Sequence, residues 1–341
     1  MKTESDIKLG ITMGCPAGVG PEIIIKAFAE RPDWLSNDPA FHILVLGDER
    51  ILKKAALAVG TDIPVISLAS RVTHTAGAIN VYPVSDAPVD EVCWGRPTAL
   101  TGELSYRYVT RAIELCMADT LSGMVTAPIS KLGLRFAGIP YPGHTEMLAE
   151  KTGAKRYAMM LAGEGLRVVL VTIHCPLSDV PGSLTTEKIF ETISITHASL
   201  RRDFGISKPR IAVAALNPHG GEAGLFGHAE EEIISPAIAL SRAEGVDATG
   251  PFPPDTVFYL AAVKRRFDAV VCQYHDQGLI PFKLLHFKDG VNVTIGLPIV
   301  RTSVDHGTAY DIAGSGNADP SSLIASVEMA RQIIRNRLAL P

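Results

Sequence analysis

The stretch VVLVTIHCP, residues 168–176, runs six apolar or β-branched residues without a break and then meets a histidine, a cysteine and a proline. A run with no polar alternation is what a strand buried on both faces requires, and strands of that kind belong to parallel sheets covered by helices. A polar ring placed directly after such a strand stands at its carboxyl end, where open α/β sheets gather their ligands. The pattern recurs in IAVAALNPH over 211–219 and in AVVCQYH over 269–275. His174, His219 and His275 thus share one setting. A lone histidine at a strand end is more often a hydrogen-bonded structural residue, but three in the same context favour a metal-assisted site. Neutral imidazoles suit zinc, cobalt, iron or nickel, and three protein ligands leave a position open for substrate or water. Asp255 and Asp276 are available as further ligands or as partners that orient a ring. His42, His74, His197, His228 and His286 lack this setting.

Outward from these segments, further strand-like runs stand at LGITM, FHILVLG, GMVTA and VNVTIG. Helical spacing is predicted over Pro21–Glu30, Ser105–Thr120, Thr185–Phe204, Ala229–Glu244 and Ser321–Leu338. Alternation of the two predicts an α/β protein with a largely parallel sheet. Its 341 residues suffice for two cores. Breaks rich in proline and glycine fall at 127–141 and at GPFPPDT from Gly250.

Bulk composition excludes several classes. A net charge of -4 offers no basic surplus for a nucleic-acid backbone, and no apolar run approaches the roughly 18 residues of a membrane span. Five cysteines without C-x-x-C spacing support neither a disulfide framework nor a zinc ribbon. With the polar start MKTESDIKLG, the expectation is a soluble, unprocessed cytoplasmic protein. Cys116 and Cys272 read as small buried hydrophobes.

Three other segments carry chemistry. In ITMGCPAGVGPEII, residues 11–24, the glycines permit a tight strand-to-helix turn and the helix start suits an anion, but the spacing fits neither a dinucleotide fingerprint nor a P-loop, and a purely structural turn reads equally well. In YPGHTEML, His144 and Thr145 follow Gly143 at a helix mouth, where they could hold a phosphate or carboxylate; a local helix cap by Thr145 and Glu146 is the simpler alternative. Lys283 and Arg301 bracket the strand VNVTIG, and their charges call for an anionic partner, protein or ligand. The glycine-bearing loop around His306 is too long for a simple turn.

Taken in order, GxPAGxGPEI, YPGHTE, HCPL, NPHGGE, PPDT, YHDQG, GVNVTIGLP and RTSVDHGTAYDIAG resemble the motifs of the 4-hydroxythreonine-4-phosphate dehydrogenase family over essentially the whole chain. The first and last also resemble motifs of isocitrate and isopropylmalate dehydrogenases. The resemblance implies a two-domain, three-layer α/β/α fold of that wider group with the active-site cleft between domains. Residues 1–127 with 280–341 would form the domain bearing the cofactor loops, and 128–279 the domain bearing metal ligands and a dimer interface. It implies oxidation and decarboxylation of a phosphorylated 3-hydroxy acid, 4-phosphooxy-L-threonine in pyridoxal phosphate biosynthesis or alternatively 4-phospho-D-threonate or 4-phospho-D-erythronate, both of these giving dihydroxyacetone phosphate.

Residue by residue, the resemblance makes His174, His219 and His275 ligands of one divalent ion (zinc, cobalt or magnesium), with His275 supplied by the second subunit of a homodimer. His144, Thr145, Lys283, Asn292 and Arg301 would hold the substrate. His306, Gly307, Asp311 and Gly314 would lie on the adenosine side of the nicotinamide site, where the Asp311 carboxylate favours NAD over NADP. Asp255, Lys283 and a metal-bound water are the candidates for removing the alcohol proton. Where many members carry an acid in the N-terminal turn, this chain has Cys15, which would alter packing or substrate preference. Readings from other classes are a phosphate acetyltransferase-like enzyme and a non-catalytic phosphometabolite sensor, neither of which needs three metal-binding histidines.

Overall fold

A computed structural model describes residues 7–36, 38, 40–68 and 74–340; the first six residues of the polar N-terminal segment lie outside it. The strands are β1 (Ile7–Thr12), β2 (Phe41–Gly47), β3 (Val65–Ser67), β4 (Ile79–Pro83), β5 (Gly123–Thr126), β6 (Ala158–Gly163), β7 (Leu166–Leu170), β8 (Arg210–Ala214), β9 (Asp247–Phe252), β10 (Ala269–Cys272), β11 (Val291–Ile295) and β12 (Arg301–Val304). The helices are α1 (Gly20–Glu30), α2 (Glu49–Val59), α3 (Ala99–Met117), α4 (Lys131–Phe136), α5 (His144–Thr152), α6 (Val180–Ser183), α7 (Thr186–Arg202), α8 (Ser235–Ala243), α9 (Pro254–Phe258), α10 (His275–Leu285) and α11 (Ser321–Leu338).

Two compact units divide the chain, one running to Ala154 and resuming over Leu297–Ala339, the other spanning Lys155–Gly296. In the first, the strand order is β3-β4-β2-β1-β5-β12 and every pairing is parallel. Helix α1 can start where it does because Pro21 occupies the first turn, where its missing N–H removes no helical bond. Its Ile23, Ile24 and Ile25 are fully buried, as are Leu9 and Ile11 of β1. Helix α3 begins six residues before the expected Ser105, at Ala99, because Thr98 and Thr101 form a reciprocal cap: the Thr101 N–H donates to Thr98 Oγ1 at 3.2 Å and the Thr98 N–H to Thr101 Oγ1 at 2.9 Å.

The second unit has the order β11-β6-β7-β10-β8-β9. Here β7, β10, β8 and β9 are parallel, while β6 runs antiparallel to both β7 and β11. One apolar core lies under it, with Leu161, Val168, Ala212, Val257, Val270 and Phe282 buried together.

The boundaries lie later than the expected 127/128 and 279/280. The segment 127–141 is not a break between units: α4 lies within it and packs on α3 so closely that a Cβ at Gly102 would stand 1.9 Å from the Gly133 carbonyl oxygen. At the other end, α10 and β11 belong to the second unit, because β11 pairs with β6 from Val291 to Ile295.

Candidate active site

In the second unit, β10 lies between β7 and β8, and all three strands point the same way. The histidines that follow them therefore emerge along one edge. His174 and His275 line a single cavity of about 500 Å³ with Thr172, Cys175, Leu177 and Tyr274. Their ring centroids are 5.9 Å apart. Two imidazoles sharing a tetrahedral ion, each with a metal–nitrogen bond of about 2.1 Å, place their centroids roughly 5–6 Å apart, so this pair fits a metal. His275 Nδ1 stands 2.7 Å from Asp276 Oδ1. A proton on Nδ1 donated to that carboxylate leaves the Nε2 lone pair for a ligand bond.

His219 is not gathered with them. Among the described residues no three His, Cys, Asp or Glu side chains are grouped closely enough to hold an ion. His219 is exposed, with a left-handed backbone (φ 53°), on the 218–221 turn against which α9, carrying the exposed Asp255, packs. Within one chain the two rings that meet are thus His174 and His275, and His219 is the one held apart.

The strand ends are fixed by polar side chains that sequence reasoning passed over. Thr172 Oγ1 donates to the Gln273 carbonyl at 2.7 Å, tying β7 to β10, and the Gln273 and Gln277 side-chain amides donate to the Ala214 and Ala215 carbonyls at 2.7 Å, tying β10 to β8. Glu230, only 3% exposed, accepts from the backbone N–H groups of Leu216 and Asn217 at 2.8 and 2.7 Å and from Asn217 Nδ2 at 3.0 Å. This carboxylate sets the shape of the segment that presents His219. Lys283 lies in the last turn of α10 with its ammonium 5.9 Å from the Phe287 ring centre, and Asn292 lies half-buried on β11.

In the first unit the structure brings His144 and Arg301 together. Helix α5 begins at His144, and its N-cap, Gly143, provides no side-chain hydrogen bond; the local cap by Thr145 and Glu146 is not formed. His144 Nε2 is buried and has no hydrogen-bond partner. Burial, reinforced by the Arg301 charge, holds the imidazole well below its usual 6.5, so it is neutral at physiological pH. Arg301 is 3% exposed. Its Nε and Nη2 donate to Thr126 Oγ1 at 3.2 and 2.7 Å. Burial pushes the guanidinium down to about 9, still a cation at neutral pH. An uncapped helix start, an unused imidazole nitrogen and a buried cation together make a site for an anion. Thr126, which buttresses the cation, had one sequence signal: a hydroxyl ending the apolar run GMVT.

The loop after β12 bears the remaining expected residues. His306, Gly307 and Asp311 are exposed, and a Cβ at Gly307 would meet open space. Gly314 is required by its φ of +79° and by the Trp94 ring, which would lie 2.3 Å from an added Cβ. An accessible carboxylate beside open backbone suits the hydroxyls of a ribose. Cys15 is fully buried, and its Sγ lies 3.3 Å from the hydroxyl of Tyr310 in this loop. That contact joins the N-terminal turn to the loop. Cys116 and Cys272 are buried, as their apolar surroundings predict.

Comparison with known proteins is consistent over the whole length. The sequence model of the family described as pyridoxal phosphate biosynthetic protein PdxA matches residues 40–330. A 4-hydroxythreonine-4-phosphate dehydrogenase of Desulfosudis oleivorans is 53% identical over 326 residues, 94% of each chain. A D-threonate 4-phosphate dehydrogenase of Salmonella typhimurium is 44% identical over 325 residues, 95% of this chain and 98% of that one. The crystal structure of a 4-hydroxythreonine-4-phosphate dehydrogenase from Klebsiella pneumoniae superposes with a TM-score of 0.86 at 40% identity, covering 96% of this chain and 100% of that one. Among the described residues no helix is long and apolar enough to cross a membrane.

Proposed function

Because the chain belongs to the PdxA family, we propose that this dehydrogenase oxidises a 4-phosphorylated 3-hydroxy acid of the 4-phosphooxy-L-threonine type with NAD and a divalent metal, after which the β-keto acid loses carbon dioxide. The observation that carries the reading is the anion site of the first unit, where the unpartnered His144 Nε2 stands beside buried Arg301 at the open end of α5.

In this reading His144 and Thr145 hold the phosphate with the amides of the first helical turn, and Arg301 supplies the charge. Lys283 and Asn292 hold the carboxylate end. His174, His275 and His219 are the metal ligands, and Asp311 accepts from the adenosine ribose. When bound, the metal would polarise the substrate oxygens as a Lewis acid and the nicotinamide would accept hydride. Either Asp255 or Lys283 takes the proton from the substrate hydroxyl, and Asp255→Asn against Lys283→Met separates the two by which variant loses the acidic limb of the pH–rate profile.

A homodimer supplies the missing ligand. Helix α10 exposes Ile280, Leu284 and Leu285, followed by Phe287, with Leu284 83% and Phe287 77% exposed. An apolar strip of this kind marks a protein contact. With His174 and His275 in one chain, His219 is the ligand to come from the second subunit.

The D-threonate 4-phosphate reading stands beside the first because a relative of that name matches over nearly its full length. An assay of NADH formation with zinc, cobalt or magnesium across 4-phosphooxy-L-threonine, D-threonate 4-phosphate and D-erythronate 4-phosphate decides between them. No NADH with any of the three overturns the proposal.

A further inference from the structure

Glu22, in the first turn of α1, is fully buried. Its partners lie at the far end of the chain. Oε2 accepts from the Gly314 N–H at 3.0 Å and Oε1 from the Ala318 N–H at 2.8 Å. One turn further along the helix, Lys26 Nζ donates to the Gly316 carbonyl at 3.0 Å. Before the helix, the Val19 N–H donates to the Thr308 carbonyl at 3.0 Å. Four bonds from residues 19–26 thus hold a loop that has no regular structure of its own between β12 and α11.

A buried carboxylate must be hydrogen-bonded to be tolerated, and one with both oxygens spent on backbone N–H groups dictates where those groups lie. Both donors follow the turn that displays Asp311, Lys26 takes the carbonyl between them, and the Val19 N–H holds Thr308 on the other side of that turn. We infer that Glu22, assisted by Lys26, is the positioning residue of the nucleotide loop: it touches no ligand but fixes the backbone from Thr308 to Ala318 in the shape that presents Asp311. The inference rests on the reading of this loop as the adenosine side of the NAD site. It also gives the GVGPEI segment a use other than direct anion binding, with Glu22 as a template for the loop.

Glu22→Gln is the decisive variant. It keeps the size and one acceptor but turns an NH2 group toward an N–H, so it cannot satisfy both Gly314 and Ala318. Lys26→Met, at a half-buried position, removes the third contact without a buried change. Backbone hydrogen exchange of the metal-free, substrate-free protein should show faster exchange at residues 314 and 318 in Glu22→Gln, with protection of β1, β2 and β5 retained. Calorimetric titration with NAD should show affinity weakened roughly 10- to 100-fold in Glu22→Gln and about threefold to tenfold in Lys26→Met. In turnover the loss should fall on the KM for NAD, with kcat at saturating NAD within about threefold of the parent. Unchanged exchange at 314 and 318 overturns the inference, as does a loss of protection spread evenly over the first unit, which makes Glu22 a residue of general stability. Selective loosening of the loop with unaltered NAD affinity refutes the nucleotide reading while leaving the clamp in place.

Discussion

In the proposed reading Asp311 selects NAD over NADP by charge, and its exposure sets how strongly. The side chain is exposed on the loop after β12, so bulk dielectric applies. A 2′-phosphate dianion about 5 Å from the carboxylate is repelled by about 1.7 kcal/mol in water, about 15-fold in affinity. NAD places a hydroxyl there and gains a hydrogen bond of about 0.5–1.5 kcal/mol. Wild-type protein should therefore favour NAD by about 30- to 200-fold in kcat/KM. Asp311→Asn removes the repulsion and weakens the acceptor, bringing the ratio within about tenfold. Asp311→Lys should reverse the preference. Initial rates with both cofactors at about 0.05 M and about 1 M salt test the cause as well as the size. At about 1 M the screening length is about 3 Å and the repulsive part falls below about twofold, whereas the hydrogen bond does not. A wild-type preference for NADP, or a ratio that Asp311→Asn leaves unchanged within twofold, refutes the reasoning.

Other expectations follow from the same geometry. Glu230→Ala leaves three donors of the 216–217 segment without an acceptor and should cost the second unit about 3 kcal/mol; a urea midpoint equal to that of the parent counts against it. His144, held neutral by burial and by Arg301, takes up a proton only well below the 6.5 at which the unfolded chain does so. Its stabilising contribution is complete above that pH and declines as pH falls toward the folded value, by up to about 1.4 kcal/mol per unit. His144→Gln should flatten this slope in denaturation at pH 7 to 5, and a parallel curve would sink the assignment. Mixed dimers of His219→Ala with His275→Ala should regain about half the activity per dimer, whereas His174→Ala with His275→Ala should regain none, since those two rings lie in one chain; once subunit exchange is shown, the reverse pattern refutes the division. Leu284→Asp should yield monomers by sedimentation velocity, and a dimer of unchanged mass would remove α10 from the interface.

Strands that meet water on neither face announce themselves. Residues 168–174, 211–219 and 269–275 were legible because an unbroken β-branched run has few alternatives, and the histidines could be placed at strand ends from the same runs. The β6 sequence AMMLAG gave no such signal, since alanine and methionine serve helices as readily, and with β6 went the antiparallel part of the second sheet. The 127–141 segment misled for a related reason. Its prolines and glycines suggested a break, but α4 lies within it, and Gly102 of α3 leaves room for α4 to pack against that helix. The anion site was half legible. His144 and Arg301 were singled out, while Thr126, a single hydroxyl on a strand, was visible only once the strands were laid side by side.

What the sequence conceals most completely is a buried acid. Glu22 and Glu230 stand in segments where glutamate ordinarily faces water and would pass as solubilising residues. Each instead turns inward and accepts backbone N–H groups of a loop that carries expected site residues, Gly314 and Ala318 in one unit and Leu216 and Asn217 in the other. The physical advantage is common to both. A loop has no ladder to satisfy its amides, and two oxygens on one rigid helix supply acceptors at fixed positions without adding bulk near a ligand. A buried carboxylate also penalises every loop conformation that leaves it unpaired, so the native shape is favoured by more than the bonds alone contribute. Replacing either acid should therefore impair binding while every residue that touches substrate, metal or cofactor is intact.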